Sequence, residues 1–368
     1  MKTLRRFIHR EALVAVSFVT VGFLALFFFF DFVDELRWVG RAGANGYQMP
    51  HALLFVVLGI PTHLYELLPI TVLIGTIFVM ARLAQSSEFT IMRTSGLGPW
   101  KALRTLLALG GFFVVLTFAV GDYLAPLSDR AAQLVKAKYL GRLTTGATGA
   151  WFKEKQEDRS YAINVRALTA DGGMLGVRIF EFDARGRLSS QTRAVSGKFG
   201  ADDTWDLQNV ERTSFQPAGK EEARLERLEA PSLQWATNIS ADMVAASVLR
   251  PDRMATLDLF QYVRHLDANG QSAQRYEIEF WRKVFYPLSC MVMVVLALPF
   301  AYLHFRSGGI AGYVFGGVMA GISFFLLNNV FGYAGNLHQW SPWLTAAAPG
   351  LIYSVLSLAA LGWLVLRH

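Results

Sequence analysis

The chain has 368 residues, and 53% of them are hydrophobic, which is typical of a membrane protein and argues against a soluble enzyme. Its formal net charge is +7. The basic residues cluster beside the apolar stretches, where they set topology and contact anionic head groups, so this charge does not indicate a nucleic-acid partner.

Six apolar stretches are long enough to cross a membrane, because about 20 helical residues span a hydrocarbon core of about 30 Å. Three precede a long polar insert and three follow it, near residues 12–33, 61–81, 103–121, 284–303, 310–331 and 343–366. The first is too long for a signal peptide, so we interpret it as an uncleaved span. Pro69 and Pro299 predict kinks in the second and fourth spans.

Basic residues in short loops predict the orientation, because they mark the cytoplasmic side. One side carries Lys2, Arg5, Arg6, Arg10, Arg82, Arg93, Lys101, Arg104, Arg306 and Arg367. The other side carries only Arg37 and Arg41. We therefore expect both termini in the cytoplasm and the polar insert outside, in the periplasm of a Gram-negative cell.

A short helix is predicted in the cytoplasmic loop between spans 2 and 3, at residues 84–96. Ser86 or Ser87 can cap it, Glu88 suits the positive end of its dipole, and Gly96 suits its end. Its other predicted contact residues are Phe89, Ile91, Met92 and Arg93. An exposed carboxylate among apolar side chains fits the groove of a partner, although a connector lying on lipid head groups explains the pattern equally simply.

The polar insert, at about 140–250, is predicted to be an all-β sandwich or jelly roll. Tyr161, Ile163 and Val165 alternate with polar neighbours, and turn residues separate further strand candidates at 175–183, 188–196 and 204–215. Residues 221–229 are compatible with helix, and we assign strand from the neighbouring segments. The insert has no catalytic set and no Cys/His cluster for a metal, which favours a binding or docking domain.

Small residues recur at intervals of four along span 5. Gly312, Gly316 and Ala320 share one face, and Gly317 and Gly321 lie on an adjacent face. Small side chains let helices approach closely in lipid. The pattern fits either internal packing or a seam between subunits.

Ionisable residues are concentrated at the outer end of span 1. Asp31 lies inside the span, where an ionisable group is a functional candidate, although simple snorkelling to the interface also explains it. Deep ionisable residues are otherwise lacking, which disfavours an ion-coupled secondary transporter. The chain also lacks a P-loop motif, so uphill transport requires energy from another subunit.

Motifs with a consistent order and spacing run along almost the whole chain. They are Ala84-Gln-Ser-Ser-Glu88 with Ser95-Gly96, Gly121-Asp-Tyr-Leu-Ala-Pro126, Trp151, Ile179-Phe-Glu-Phe-Asp183, Trp205-Asp-Leu207, Arg275-Tyr-Glu277, Trp281-Arg-Lys283, Tyr286-Pro287, Ala297-Leu-Pro-Phe300 and Arg306-Ser-Gly308. Together they resemble the LptF/LptG family of lipopolysaccharide export permeases. The resemblance implies a bacterial inner-membrane protein with six transmembrane helices and an inserted periplasmic jelly-roll-like domain.

The same resemblance implies the domain boundaries and the partners. Residues 1–125 would hold helices 1–3 and the coupling helix, 140–250 the β-domain, and 251–368 the linking helices and helices 4–6. The partners would be an LptF-like permease in a heterodimer, two LptB-like ATPase subunits that use ATP and Mg, an LptC-like single-span protein and a periplasmic bridge protein. The chain itself would bind no cofactor and catalyse no reaction.

The resemblance also implies roles for individual residues. Glu88 would engage the ATPase, and the small-residue face of span 5 would form a lateral gate with span 1 of the partner permease. Basic residues would hold the phosphorylated head of lipopolysaccharide, namely Arg37, Arg41, Lys136 and Lys138. Asp31 would either pair with a cation or redistribute these contacts.

The main alternative function is a membrane-anchored scaffold that assembles an envelope complex without a transport path. A secondary transporter is a third hypothesis. The coupling-helix pattern and the basic residues near span 1 favour an ATP-driven exporter over both.

Overall fold

The computed structural model describes residues 2–40, 46–140, 149–156, 159–168, 173–200, 204–215, 225–239, 243–244, 251–302 and 310–367. Its contacts divide the chain into two compact units. The helical unit comprises Met1–Asp34, Gly59–Ser128 and Gln274–His368. The β unit comprises Glu35–Leu58 and Asp129–Ala273.

The helices follow the predicted order of apolar stretches. They are α1 (Lys2–Leu36), α2 (Met49–Gln85), α3 (Glu88–Thr94), α4 (Pro99–Ala119), α5 (Ala125–Leu140), α6 (Thr256–Ala268), α7 (Gln274–Phe285), α8 (Ser289–Ala297), α9 (Ile310–Leu337) and α10 (Pro342–Arg367). Within the described ranges, five helices are long and apolar enough to cross a bilayer, and α7 with α8 makes up to six. The predicted membrane fold with an inserted β-domain is confirmed.

The fourth span is a broken helix. α7 and α8 meet at an angle of 47° across a break that contains Pro287. Proline removes a backbone donor and its ring collides with the preceding turn, which favours a break at this position. The sequence analysis predicted a kink in this span at Pro299. That residue lies farther along, in the 3-10 turn Leu298–Tyr302 that follows α8. α2 continues through Pro69 as one helix.

The third span contains a π-helical segment, Val120–Leu124, between α4 and α5. At its second residue, Gly121, an added Cβ would lie 2.3 Å from the ring of Tyr65. The buried Lys283 of α7 donates from Nζ to the Gly121 carbonyl oxygen at 2.8 Å. The bulge therefore exposes a carbonyl group to a cation from the broken span, as π-bulges often do at functional sites.

Polar side-chain contacts join α1 to α2 at two places along the helices. Arg82 pairs with Glu11, and the His63 Nε2 atom lies 2.6 Å from the Asp31 carboxylate. Glu11 and Asp31 are separated by about 30 Å along α1, at 1.5 Å per residue. That separation matches the thickness of the hydrocarbon core.

Between these pairs the two helices pack closely. An added Cβ on Gly75 would lie 2.7 Å from Val16, and Thr20 Oγ1 donates to Thr71 Oγ1 at 3.0 Å. A small residue and hydroxyl pairs are the usual means of close helix association in lipid. α1 is thus fixed to α2 along one face only, and much of its remaining surface is exposed, as at Phe18.

The β unit contains a six-stranded antiparallel meander in which each strand pairs with the next. The strands are β1 (Ala150–Gln156), β2 (Arg159–Leu168), β3 (Met174–Phe182), β4 (Leu188–Phe199), β5 (Thr204–Phe215) and β6 (Leu225–Ala236). The ambiguous segment near 221–229 enters β6 at Leu225, as strand, and residues 221–224 lie outside the described residues.

The sheet curls back on itself. Tyr161 of β2 and Trp235 of β6 have ring centroids 5.5 Å apart, whereas four strand spacings in a flat sheet would separate them by about 19 Å. Gln156 Nε2 also donates to the Ala236 carbonyl oxygen at 3.2 Å. The sheet therefore encloses a core like a jelly roll, although its strand order is that of a meander.

One end of this core contains a buried carboxylate, that of Glu181. It accepts hydrogen bonds from Arg159 at 2.5 Å, Ser190 at 2.6 Å and Arg212 at 3.0 Å. A buried charge is tolerated only when it is paired and hydrogen-bonded. This network therefore fixes the relative positions of β2, β3, β4 and β5.

α6 gives the β unit a pH dependence through His265. Burial lowers the pKa of His265, and the nearby Glu154 carboxylate opposes this effect. Because the protonated imidazole is disfavoured in the folded state, stability is complete above the ordinary histidine pKa and falls as the pH drops below it.

We therefore expect the melting temperature of the full-length wild-type chain to fall more between pH 7.5 and 5 than that of His265→Leu. The difference between the two slopes isolates this histidine from the six others. Identical pH slopes for the two proteins would contradict this assignment.

Candidate functional site

The predicted cytoplasmic helix exists as α3, with seven residues. It ends as predicted, because Gly96 adopts a left-handed φ of 96° and its N–H donates to the Arg93 carbonyl oxygen. The predicted serine cap is wrong: Ser87 precedes the helix with a φ of 60° and its side chain makes no capping hydrogen bond. Since Ser87 is left-handed, the chain turns sharply before Glu88.

The side chains of α3 divide into an anchoring set and an exposed set. Phe89 and Met92 are buried in the core of the helical unit, and Phe89 contacts the Tyr302 ring edge-on at 5.0 Å. The Arg93 guanidinium lies 5.0 Å from the centroid of the same ring. Glu88 and Ile91 are exposed, so only these two of the predicted residues present their side chains fully to a partner.

Sequence reasoning missed Trp100, which begins the next helix, α4. Its side chain is 73% exposed, although tryptophan is usually well buried. Its position five residues after Ser95 places it beside the end of the cytoplasmic loop. The signal available in the sequence was a tryptophan next to a candidate docking helix. Tryptophan is enriched in interface hot spots and in interfacial membrane belts.

Asp31 has a partner inside the helical unit. Its carboxylate contacts His63 at 2.6 Å, and His63 also stacks near Phe27 with a centroid distance of 5.0 Å. A second carboxylate, that of Glu66, lies 4.0 Å from the other ring nitrogen. The Asp31 carboxylate therefore has a hydrogen-bonding partner on α2 within the helical unit.

The predicted basic residues occupy different environments in the β unit. Lys136 pairs with the buried Glu35 at 2.9 Å and lies over the rings of Phe55 and Trp38 at 4.4 and 5.2 Å. Arg37 and Lys138 are exposed. Arg41 lies outside the described residues. Glu35 and Lys136 are 101 residues apart, so no local pattern predicted that Glu35 neutralises Lys136.

The small-residue faces of α9 have separate environments. An added Cβ on Gly317 or Gly321 would lie 2.7 Å from Ile77 or Ile70 of α2, so this face packs internally. An added Cβ on Gly312 or Gly316 would meet no atom within 4 Å. Ala320, farther along the predicted face, packs against the core of the helical unit.

A polar cluster surrounds the break in the fourth span. Arg282 pairs with Glu279 at 2.9 Å, and Tyr286 donates from its hydroxyl to the Glu66 carbonyl oxygen at 2.5 Å. Together with Lys283, these charged groups lie just before the predicted fourth span, 284–303. The sequence signal for this polar cluster was the amphipathic pattern of α7, in which charged residues alternate with aromatic ones.

The described residues contain no group of three or more His, Cys, Asp or Glu side chains that could hold a metal ion. The arrangement offers an exposed carboxylate on the anchored helix α3, exposed cations at Arg37 and Lys138 and an open glycine face on α9. These are features for docking and for moving a ligand, and they include no nucleophile–base pair.

The sequence matches the protein family described as "Lipopolysaccharide export system permease LptF/LptG" over residues 6–366. It is 27% identical to the "Lipopolysaccharide export system permease protein LptG" of Escherichia coli K12 over 367 residues, which cover 99% of this chain and 98% of that protein. It is 28% identical to the protein of the same name from Haemophilus influenzae over 374 residues, covering 100% and 99% of the two chains.

Proposed function

The chain belongs to the lipopolysaccharide export system permease LptF/LptG family, and from this we propose how its residues act within an exporter. It is a permease subunit of lipopolysaccharide export in the inner membrane. We propose that it forms a heterodimer with an LptF-like permease and that two LptB-like subunits supply energy from ATP and Mg. An LptC-like protein and a periplasmic bridge protein would receive the lipid.

The observation that carries the energy-coupling proposal is the division of α3 into exposed and anchored residues. Glu88 and Ile91 would enter a groove of the ATPase, where a carboxylate at the start of a helix can accept hydrogen bonds. Phe89 and Met92 belong to the same buried cluster as Val16 of α1 and Leu106 of α4. A displacement of α3 would therefore be transmitted directly to the membrane helices, because a close-packed core transmits strain.

For the substrate, we propose that Arg37 and Lys138 contact phosphate groups of the lipopolysaccharide head, together with Arg41, which follows Arg37 by four residues. Both described side chains are exposed cations, and arginine binds phosphate in a bidentate geometry. Lys136 is already paired with Glu35, so it would contribute only by exchanging that partner. Asp31 would stabilise α1 through His63 and would not contact the lipid directly.

For the lateral gate, we propose that the open face at Gly312 and Gly316 meets α1 of the partner permease. Both glycines have free space beside them, which permits a close approach by another helix. The orientation with cytoplasmic termini and a periplasmic β-domain agrees with the distribution of basic residues, and it places α3 on the side where ATP is available.

The alternative scaffold function would use the same β unit without a transport path. The anchored helix α3 favours the exporter, because a scaffold needs no connection between an exposed cytoplasmic carboxylate and the membrane core. A secondary transporter is favoured less, since the charged groups near the break of the fourth span pair with one another.

The proposal is tested by purifying the tagged chain from its native membrane in mild detergent and reconstituting what co-purifies. We expect a second six-span permease and an ATPase, with ATP hydrolysis that lipopolysaccharide stimulates and ATP-dependent release of lipopolysaccharide to a soluble acceptor. A chain that purifies without a nucleotidase, or with one that lipopolysaccharide does not affect, would support the scaffold.

A further inference from the structure

One row of residues is skipped in each of the four strand ladders that run from β2 to β6. The four ladders pair the residues on either side but skip the row Arg166, Gly176, Val195, Asn209 and Pro231. Gly176 and Asn209 adopt left-handed backbone conformations, with φ of 63° and 51°. Proline has no N–H to donate to a ladder. The sheet is therefore irregular along one line that crosses five strands.

This line forms a groove of about 480 Å³ on the outer face of the sheet. That volume falls within the range of about 300–1,000 Å³ for small-molecule sites. The buried side chains of Val177 and Ala194 belong to the opposite, inner face. The groove is therefore separate from the enclosed apolar core of the β unit.

Three exposed arginines line the groove, one from each of three neighbouring strands: Arg166 of β2, Arg178 of β3 and Arg193 of β4. Arg178 and Arg193 are direct cross-strand partners. Like charges directly opposite each other destabilise a sheet. Within the described part of the chain, none of the three arginines forms an ion pair. Glu211, the cross-strand partner of Arg193, pairs instead with Arg227 at 3.1 Å, so the groove carries an excess of positive charge.

The other lining groups suit a sugar better than an acidic peptide. Glu211 and Asn209 offer a carboxylate and an amide, which accept and donate hydrogen bonds to hydroxyl groups. A sugar presents hydroxyl donors to this carboxylate, which the side chains of an acidic peptide do not. Val195 is 63% exposed and presents an apolar surface to the C–H face of a sugar ring.

We propose that this groove binds the phosphorylated saccharide portion of the exported glycolipid on the outside of the β-domain. The proposal rests on the function proposed above, since that function supplies a phosphorylated glycolipid. Arg178 and Arg193 bind a phosphate group between them, while Asn209 and Glu211 bind neighbouring hydroxyls. The pairing of two guanidinium groups across adjacent strands gives the geometry for a charge-assisted, bidentate contact.

The test measures binding of deacylated lipopolysaccharide, which keeps its phosphates and sugars but has no acyl chains to enter an apolar cavity. Full-length wild type, the double variant Arg178→Gln/Arg193→Gln and the control Lys198→Gln are titrated in detergent. Lys198 is also exposed on β4 but does not line the groove. We expect binding at least about tenfold weaker in the double variant, because it loses charge-assisted hydrogen bonds to phosphate. The control should bind like wild type.

Three results would overturn the proposal. The first is equal binding by wild type and the double variant. The second is that a dephosphorylated probe binds wild type as well as the phosphorylated probe does. The third is that the double variant loses a co-purifying protein but keeps probe binding. The last result would make the groove a protein docking surface. Lipopolysaccharide-stimulated ATP hydrolysis of the wild-type complex is measured in parallel, so a failed exporter is distinguished from a failed groove. Equal melting temperatures show that the double variant is folded.

Discussion

Glu88→Lys is expected to abolish lipopolysaccharide-stimulated ATP hydrolysis and export, with a loss of at least about 100-fold, because like charges across an interface cost several kcal/mol. The carboxylate is exposed at the first residue of α3, so the substitution leaves the core contacts of Phe89 and Met92 in place. The chain should therefore still insert, fold and pair with the second permease. The measurement is ATPase activity of the purified complex together with the amount of ATPase subunit that co-purifies.

Two further variants separate this surface effect from a folding effect. Glu226→Lys reverses a charge at an exposed position of β6 and should leave hydrolysis unchanged. Phe89→Ala removes a buried aromatic anchor, and large-to-small changes of that kind cost about 3–5 kcal/mol. It should lower the melting temperature, which Glu88→Lys should not. Wild-type export by Glu88→Lys would refute the coupling role of this residue.

Gly316→Leu is expected to stop export while leaving the chain folded. An added Cβ at this position meets no atom within 4 Å, so we expect the isolated subunit to accommodate the leucine side chain. In the assembled exporter it would occupy the seam proposed for the partner's α1 and keep the two helices apart. We expect a normal melting temperature, reduced recovery of the heterodimer and loss of complementation in a strain depleted of the permease.

The matched control is the neighbouring residue. Gly317→Leu places the same side chain against Ile77, where even a Cβ would lie at 2.7 Å. Overpacking of this kind costs typically about 1–3 kcal/mol and displaces the helix. Gly317→Leu should therefore lower the melting temperature of the subunit itself. If Gly316→Leu destabilised the isolated chain as much as Gly317→Leu, the seam would be an internal contact and the gate proposal would fail.

The class of the protein and the order of its elements were readable from the sequence for a simple physical reason. Apolar runs of about 20 residues have few stable environments other than a membrane, and alternating polarity has few other than a half-buried strand. The end of α3 at Gly96 was equally local, because it depends on the left-handed backbone that glycine readily adopts. Such features depend on neighbours a few residues apart.

The tertiary structure decided whatever depends on residues far apart in the chain. Gly316 and Gly317 are adjacent and chemically identical, and only the position of Ile77 makes one an internal contact and the other an open face. Lys136 read as a free cation until Glu35, 101 residues away, was placed beside it. The break at Pro287 and the groove along Gly176 likewise depend on how several segments pack together. A sequence records which side chains can pair, and the fold determines which of them do.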